Sequence, residues 1–183
     1  MSKQFTYKAY ELSELSEKAQ AEAIEQLRYV QVEGDWWDAV YDDAKNVGLS
    51  IQSFDTGRAQ SIEMTFNLFG GADQTARLIV ENHGEGRESY RAAKAYQDAS
   101  AAHAKKEPEP ETEEREGWED AQRQIEDNFL SELGTYYLQQ LEDAYAYMTS
   151  DEGVKECIEA NDYLFLENGL LDPMPSVYRY FAG

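Results

Sequence analysis

Apolar side chains recur at helical spacing near the start of the chain and again after residue 35. Ser16 is a favoured N-cap residue, and the apolar positions after it, Ala19, Ala23, Ile24 and Leu27, repeat every one to four residues along one helix face. Asp35 can cap a second helix, and Gly48 suits its end because glycine readily takes the left-handed conformation that terminates helices. The apolar side of this second helix carries Trp37, Val40, Tyr41, Ala44 and Val47.

The pattern changes to alternation between residues 49 and 68, which predicts strands. Polar and apolar residues alternate in Leu49–Phe54 and more regularly in Ile62–Leu68, and Asp55-Thr56-Gly57 between them favours a turn. These two segments are expected to form an antiparallel hairpin. Two further short strands are expected near the end of the chain, at Tyr163–Glu167 and, after the turn signal Asn168-Gly169, at Leu170-Leu171.

Helical spacing returns between the hairpin and these late strands. It predicts helices over about Ala72–Asn82, Glu88–Ala104 and Trp118–Met148, and a shorter one that starts at Ser150-Asp151. The segment 105–117 is acidic, contains two prolines and cannot bury apolar surface, so it is expected to be a flexible loop. We predict a single α+β domain over residues 1–183, in which a small antiparallel sheet of three to four strands packs with helices, including one long helix after residue 117.

Charge adds a second pattern to this fold. The 183 residues include 16 Lys and Arg against 37 Asp and Glu, a formal net charge of −21. Residues 107–183 alone hold 20 of the acids and 4 of the bases. This excess of acids excludes a protein that binds nucleic acid or an anionic membrane through its own positive charge. Averaged over the roughly 9,000 Å² expected for this mass, the charge is about fourfold more dilute than on DNA, so any imitation of DNA requires the acids to gather on one face.

Motifs for catalysis or for cofactors are absent from the sequence. The histidines His83 and His103 lie 20 positions apart without metal-ligand spacing around them, and we expect both at the surface. Cys157 is the only cysteine and lies on a predicted apolar helix face. The sequence contains neither of the glycine-rich nucleotide-binding motifs G-x-G-x-x-G and G-x-x-x-x-G-K-S/T. We therefore predict a protein that is not an enzyme, with no metal and no cofactor. It has no apolar run long enough for a membrane span and no secretory signal, so a cytoplasmic location is expected.

Aromatic residues offer a second kind of contact. Trp37 is expected in the core, whereas the adjacent Trp36 points about 100° away around the helix and either covers the sheet edge or contacts a partner, since tryptophan is enriched at binding hot spots. Tyrosines lie on more than one side of the long helix, so some are expected to be exposed or to lie in a homodimer interface. They are Tyr136, Tyr137, Tyr145 and Tyr147.

The N-terminal third of the chain resembles a known set of proteins. Tyr10–Ile24, with its Leu-Ser and Ala-Ile elements, is followed by Asp35-Trp-Trp37, Tyr41–Lys45, Gly48–Ile51 and Phe54-Asp55. Together these residues resemble small acidic uncharacterised proteins encoded by bacteriophages and prophages, some of which are described as antitoxin-like. The resemblance implies a phage accessory protein that acts inside a bacterial host, and it supplies no catalytic residues.

Small acidic phage proteins without catalytic motifs often resemble inhibitors of host defence, of the anti-CRISPR or anti-restriction type. This resemblance implies a non-catalytic inhibitor that presents acids to the basic nucleic-acid site of a host protein or ribonucleoprotein complex, without binding nucleic acid itself. Carboxylates four residues apart on a helix rise by about 6 Å, near the spacing of phosphates. The candidate acidic contacts are Asp35, Asp38, Asp42, Asp43, Glu113, Glu114, Glu116, Glu119, Asp120, Glu126 and Asp127.

A different class of function is also compatible with the sequence. An antitoxin-like or regulatory module would bind its partner mainly by an aromatic surface, for which Trp36, Tyr136 and Tyr137 are the candidates. Binding through acids should weaken steeply with salt, whereas binding through aromatic side chains should tolerate it. A structural protein of the virion and an enzyme are the remaining alternatives.

Overall fold

The computed structural model describes residues 8–67 and 69–173, and the fold over these residues is α+β. Their contacts divide the chain into two compact units: unit 1 comprises residues 1–36 and 144–183, and unit 2 comprises residues 37–143. The prediction of a single domain stays a prediction. The α-helices of the described ranges are α1 (Glu17–Leu27), α2 (Asp38–Asn46), α3 (Gly71–Asn82), α4 (Glu88–Ala104), α5 (Glu114–Met148) and α6 (Asp151–Ala160), and the strands are β1 (Leu49–Asp55) and β2 (Ser61–Phe66).

The first α-helix of unit 1, α1, has the N-cap that the sequence predicts. The Oγ atom of Ser16 accepts a hydrogen bond from the backbone N–H of Ala19, as an N-cap residue should. Ser150 caps α6 in the same way through the N–H of Gly153. The apolar faces of the two helices form one core with the segments around them, and its buried members are Leu12, Leu15, Ala19, Ala23, Ile24, Leu27, Val154, Ile158 and Phe165.

The third and fourth strands expected in unit 1 are reduced to isolated bridges. Phe165 pairs with Tyr10 and with Leu171, each time as a single antiparallel bridge. The prediction of three to four strands is therefore too high for the described ranges, which contain one two-stranded sheet. The turn at Asn168-Gly169 is confirmed, because Gly169 has φ +88° and a side chain there would collide with the carbonyl oxygen of Ala19.

Unit 2 starts with α2, which begins later than predicted. Asp38 is its first residue and Trp37 its N-cap, so the prediction that Asp35 caps this helix is wrong. Trp37 is half-buried rather than a core residue, and its ring lies 5.6 Å from the ring of Phe54. The predicted end is confirmed, since Gly48 follows α2 with φ +86°.

The predicted hairpin is present as β1 and β2. The strands pair antiparallel, with Leu49 opposite Phe66 and Asp55 opposite Ser61, and the register shifts between Ile51 and Ser53. One face of the hairpin contributes Leu49, Ile51 and Met64 to the core of unit 2, while the other face carries exposed polar residues. This is the alternation expected of a sheet that is covered on one side.

Helices α3, α4 and α5 complete the core of unit 2. Helix α4 is packed into this core, because Ala92, Ala93 and Tyr96 are buried, and the Tyr96 ring stacks on Phe129 of α5 with ring centroids 4.6 Å apart. Gly134 of α5 faces the sheet, and a Cβ atom there would lie 3.3 Å from Cγ2 of Ile62. Glycine therefore allows close approach of helix and strand at this point, within a helix that is continuous from Glu114 to Met148.

Candidate protein-binding surface

The strongest concentration of charge lies at the start of α5 and in the loop before it. We call residues 107–127 the acidic segment, because they include ten acids and only two bases, Arg115 and Arg123. The loop makes turns over residues 105–113, and α5 begins at Glu114, so the last part of the predicted loop 105–117 is helical. Nearly all of the segment's acids are exposed, the exception being Glu126, which is half-buried.

A side-chain cluster joins α4 to α5 at the base of this loop. The rings of His103 and Trp118 stack with centroids 4.6 Å apart and an angle of 15° between their planes. Nε2 of His103 lies 2.9 Å from the carbonyl oxygen of Trp118, and Nε1 of Trp118 donates to the carbonyl oxygen of His103 at 3.3 Å. Each residue thus bonds to the backbone of the other, which fixes both ends of the loop.

Arg115 extends this cluster into the acidic segment. Its guanidinium lies 5.1 Å from the Trp118 ring centroid, within range of a cation–π interaction. It also bonds to Glu107 at 2.9 Å and to Glu119 at 3.2 Å. We call His103, Trp118 and Arg115 the clasp. The prediction that His103 is an ordinary surface residue is wrong, because its half-buried ring is part of this cluster.

The predicted acidic contacts differ in how much charge they still present. Glu119 is paired with Arg115, and Asp120 with Arg123, so these two carboxylates are partly neutralised. In the described ranges, no basic side chain forms an ion pair with the remaining acidic contacts of the segment, which are Glu113, Glu114, Glu116, Glu126 and Asp127. Glu116, Asp120 and Asp127 lie within about 40° of one another around the helix axis, so they form one acidic stripe.

The acids predicted around α2 do not join that stripe. Asp38 and Asp42 are exposed four residues apart on α2, but Asp35 lies before the helix, so these three candidate contacts do not share one helix. Asp43 bonds to Tyr137 of α5, which is ten residues beyond Asp127. At about 1.5 Å per residue this contact lies about 15 Å along the helix from the end of the acidic segment. The α2 acids and the acidic segment are therefore separate surfaces.

Asp43 itself has a structural environment that the sequence did not reveal. Its Oδ2 accepts a hydrogen bond from the Tyr137 hydroxyl at 2.9 Å and lies 3.4 Å from Nε2 of His83, while Arg87 approaches Oδ1 at 3.9 Å. The contact with His83 is the main reason why the pKa of Asp43 lies below its ordinary value. Burial, reinforced by the charge of Asp43, raises the pKa of Tyr137, so its hydroxyl is protonated and donates at neutral pH.

His83 is buried, which corrects the expectation that it lies at the surface. Its side chain is 2% exposed, and Nδ1 lies 2.8 Å from Oγ of Ser89. Its contact from Nε2 to Asp43 is long for a hydrogen bond, and no closer partner for Nε2 exists among the described atoms. Serine, histidine and aspartate are thus adjacent, but Ser89 is fully buried and its hydroxyl is closed to a substrate. The arrangement links α2, the end of α3 and the start of α4.

Burial also corrects the predicted aromatic surface. Tyr136 and Tyr137 belong to the core of unit 2, so the expectation that they offer exposed contacts is wrong for both. Within unit 1, Tyr145 and Tyr147 are 36% and 47% exposed, as expected for some of the helix tyrosines. The half-buried Trp36 packs against Tyr145 with ring centroids 5.5 Å apart. The two exposed tyrosines therefore lie on the last turn of α5, and the half-buried Trp36 lies beside Tyr145.

The described residues offer few other kinds of site. Over residues 8–67 and 69–173, His, Cys, Asp and Glu side chains form no group of three or more that could hold a metal ion. No described helix combines the length and apolarity needed to cross a membrane. Comparisons of the chain with protein-family models, curated protein sequences and solved structures found no match.

Proposed function

We propose that this protein is a non-catalytic inhibitor, encoded by a phage, that blocks the basic nucleic-acid site of a host defence complex in the bacterial cytoplasm. The observation that carries the proposal is the acidic segment, which presents exposed carboxylates and whose loop is fixed at both ends by the clasp. The resemblance of the N-terminal third to phage accessory proteins supports the biological setting. Anti-CRISPR or anti-restriction activity is the expected form of inhibition.

The chemistry of the acidic segment supports this choice of partner. Ten acids and two bases within residues 107–127 leave a net charge of −8 on a short stretch of chain. A surface of one sign speeds association with a surface of the opposite sign and makes binding sensitive to salt. Glu116 and Asp120 rise by about 6 Å along the stripe, close to the spacing of successive phosphates. A lysine- and arginine-lined channel for nucleic acid is the partner surface that these features match.

The experiment is capture of partners from a bacterial lysate, read by mass spectrometry at about 50 and about 200 mM salt. The test variant carries Glu113→Gln, Glu114→Gln and Glu116→Gln, which remove unpaired charges and preserve side-chain size. A matched control carries Glu85→Gln, Asp98→Asn and Glu159→Gln at exposed positions outside the acidic segment. Both variants lose the same formal charge.

We expect the wild type and the control to capture a nucleic-acid-handling protein at low salt and the test variant to lose it. Added duplex DNA should release that protein, because DNA competes for the same basic surface. Equal capture by the test and control variants would show that only total charge matters, or that charge does not matter, and would refute the proposal.

A second candidate function rests on the exposed aromatic residues of unit 1. Tyr145 and Tyr147 are exposed, and Tyr145 packs against the half-buried Trp36, which favours an antitoxin-like or regulatory module that binds by this surface. Its partner should be retained at about 200 mM salt and lost on Tyr145→Ala. A homodimer is the version of this candidate in which the partner is a second copy.

A further inference from the structure

Strand β2 forms an open edge of the sheet. It pairs with β1 on one side, and outside that ladder residues 61–66 make no backbone hydrogen bond to the described part of the chain. The exposed side chains of Ser61, Glu63 and Thr65 project from one face of the strand. An edge of this kind presents a row of backbone donors and acceptors that another extended chain can pair with.

A groove runs beside this edge on the opposite face of β2. It has a volume of about 380 Å³ and lies between β2 and α5, where Ile62 and Met64 face Leu130 and Leu138. Gly134 also lines the groove, at the point where the absence of a side chain lets α5 and β2 approach closely. The groove therefore offers apolar contact to alternate side chains of a strand that pairs with β2.

The charges near the edge indicate the chemistry of that strand. Asp127 lines the groove, and Glu63 lies on the other face of β2, while no lysine or arginine is among the described lining residues. A second copy of this chain would bring another formal charge of −21 toward the same acids, so edge-to-edge pairing of two copies is disfavoured. An extended segment with basic residues fits both the backbone edge and the charge.

We propose that β2 and the groove beside it bind an extended basic segment of a partner protein by strand addition. Backbone hydrogen bonds to β2 would hold the segment, alternate apolar side chains would enter the groove, and a lysine or arginine would meet Asp127. This inference deepens the proposed function, on which the choice of a basic partner rests. It adds a binding mode, since it places an extended backbone at a defined edge beside the acidic stripe.

The probe is a displayed library of random peptides long enough to span the six residues of β2. Peptides selected on the wild type are synthesised and their affinities measured by fluorescence anisotropy. Ser131→Trp fills the groove from an exposed position of α5, and Gln140→Trp adds the same side chain at an exposed position of α5 that does not line it. Asp127→Asn removes the groove carboxylate with little change in shape.

Strand addition predicts selected peptides in which basic and apolar residues alternate. Ser131→Trp should weaken their binding at least about tenfold, Asp127→Asn should weaken it about three- to tenfold, and Gln140→Trp should leave it unchanged. Amide hydrogen exchange of β2 should slow when the peptide is added, which a peptide bound elsewhere would not cause. Failure to select binders, equal binding to Ser131→Trp, or unchanged exchange of β2 would each overturn the inference.

The same variants separate this inference from the proposed function. If Ser131→Trp captures the same lysate proteins as the wild type while Glu113→Gln, Glu114→Gln, Glu116→Gln loses them, the strand-addition site is wrong and the acidic function stands. If selected peptides bind β2 but the triple variant captures every partner normally, the proposed acidic function fails alone.

Discussion

Replacing Asp43 with alanine tests the buried cluster of unit 2 most directly. Asp43→Ala removes the acceptor of the Tyr137 hydroxyl and leaves Nε2 of His83 with no carboxylate beside it. Tyr137 is fully buried, so its hydroxyl loses the one hydrogen-bond acceptor that it has among the described residues. Asp42→Ala is the matched control, because the neighbouring Asp42 is exposed on the same helix.

The size of the effect follows from the buried hydroxyl. Leaving a buried hydrogen-bond donor without a partner costs about 1–3 kcal/mol, so we expect Asp43→Ala to lower the free energy of unfolding by about 2 kcal/mol. Tyr137→Phe should cost only about 1 kcal/mol, since the Asp43 side chain is 39% exposed and can be hydrated after the hydroxyl is gone. The exposed control Asp42→Ala should change stability by less than about 0.5 kcal/mol.

Urea denaturation measures these differences, and a loss of 2 kcal/mol should also lower Tm by about 4–8 °C. The double variant Asp43→Ala/Tyr137→Phe has no unpaired hydroxyl. Its loss in free energy of unfolding should therefore be about 1 kcal/mol smaller than the sum of the losses of the two single variants. Additive costs, or an Asp43→Ala cost no larger than that of Asp42→Ala, would refute the role assigned to this contact.

The pH dependence has a definite sign. In the folded state the pKa of Asp43 lies below the ordinary 3.8, chiefly through His83. A carboxyl group whose pKa is lowered by folding stabilises the fold above its unfolded pKa, and this contribution is lost as the pH falls through the folded pKa. The stability difference between the wild type and Asp43→Ala should therefore shrink as the pH falls below about 4. A difference that grows as the pH falls below about 4 would contradict the assignment.

Two further predictions concern the helices. Gly153→Ala should destabilise the protein by more than about 2 kcal/mol, because the new Cβ would collide with the carbonyl oxygen of Tyr147. In Gly117→Ala the new Cβ meets no atom within 4 Å, so this substitution should stabilise α5 by about 0.5–1 kcal/mol. Thermal denaturation distinguishes the two variants, and equal shifts in Tm would contradict the packing at Gly153. Trp118→Ala removes the stack and one hydrogen bond of the clasp, together worth about 2 kcal/mol, so native-state tryptic cleavage after Lys105 should accelerate about thirtyfold. An unchanged cleavage rate would show that the clasp does not restrain the loop.

Local signals explain why much of the helical framework was predictable. Ser16 and Ser150 cap their helices through hydrogen bonds to residues three positions away, and Gly48 ends α2 by its own conformation. The β1–β2 hairpin likewise depends on alternation and a nearby turn. The prediction of two strands near the end of the chain is wrong for the opposite reason. Pairing of Phe165 with Tyr10 depends on a segment more than 150 residues away, and alternation over a few residues does not determine such a partner.

The candidate site was predictable in composition and not in arrangement. Counting acids located the acidic segment, but the pairing of Glu119 with Arg115 and the separation of Asp43 from the stripe depend on tertiary structure. The sequence predicts His83 and His103 at the surface, because neither has a metal-binding neighbour in the sequence. Their actual partners are Asp43, 40 positions earlier, and Trp118, 15 positions later, and no local pattern marks either pair.

The clasp also bears on how this protein can change during evolution. It fixes the two ends of the loop between Ala104 and Glu114, so the loop itself carries charge without supporting the core. Doubling the length of a flexible loop costs only about 0.6 kcal/mol in closure entropy. Duplication of the Glu-Pro repeats could therefore alter the number of exposed carboxylates nearly independently of fold stability. Under the proposed function, such changes would adjust affinity for the partner in small steps while the rest of the chain stays the same.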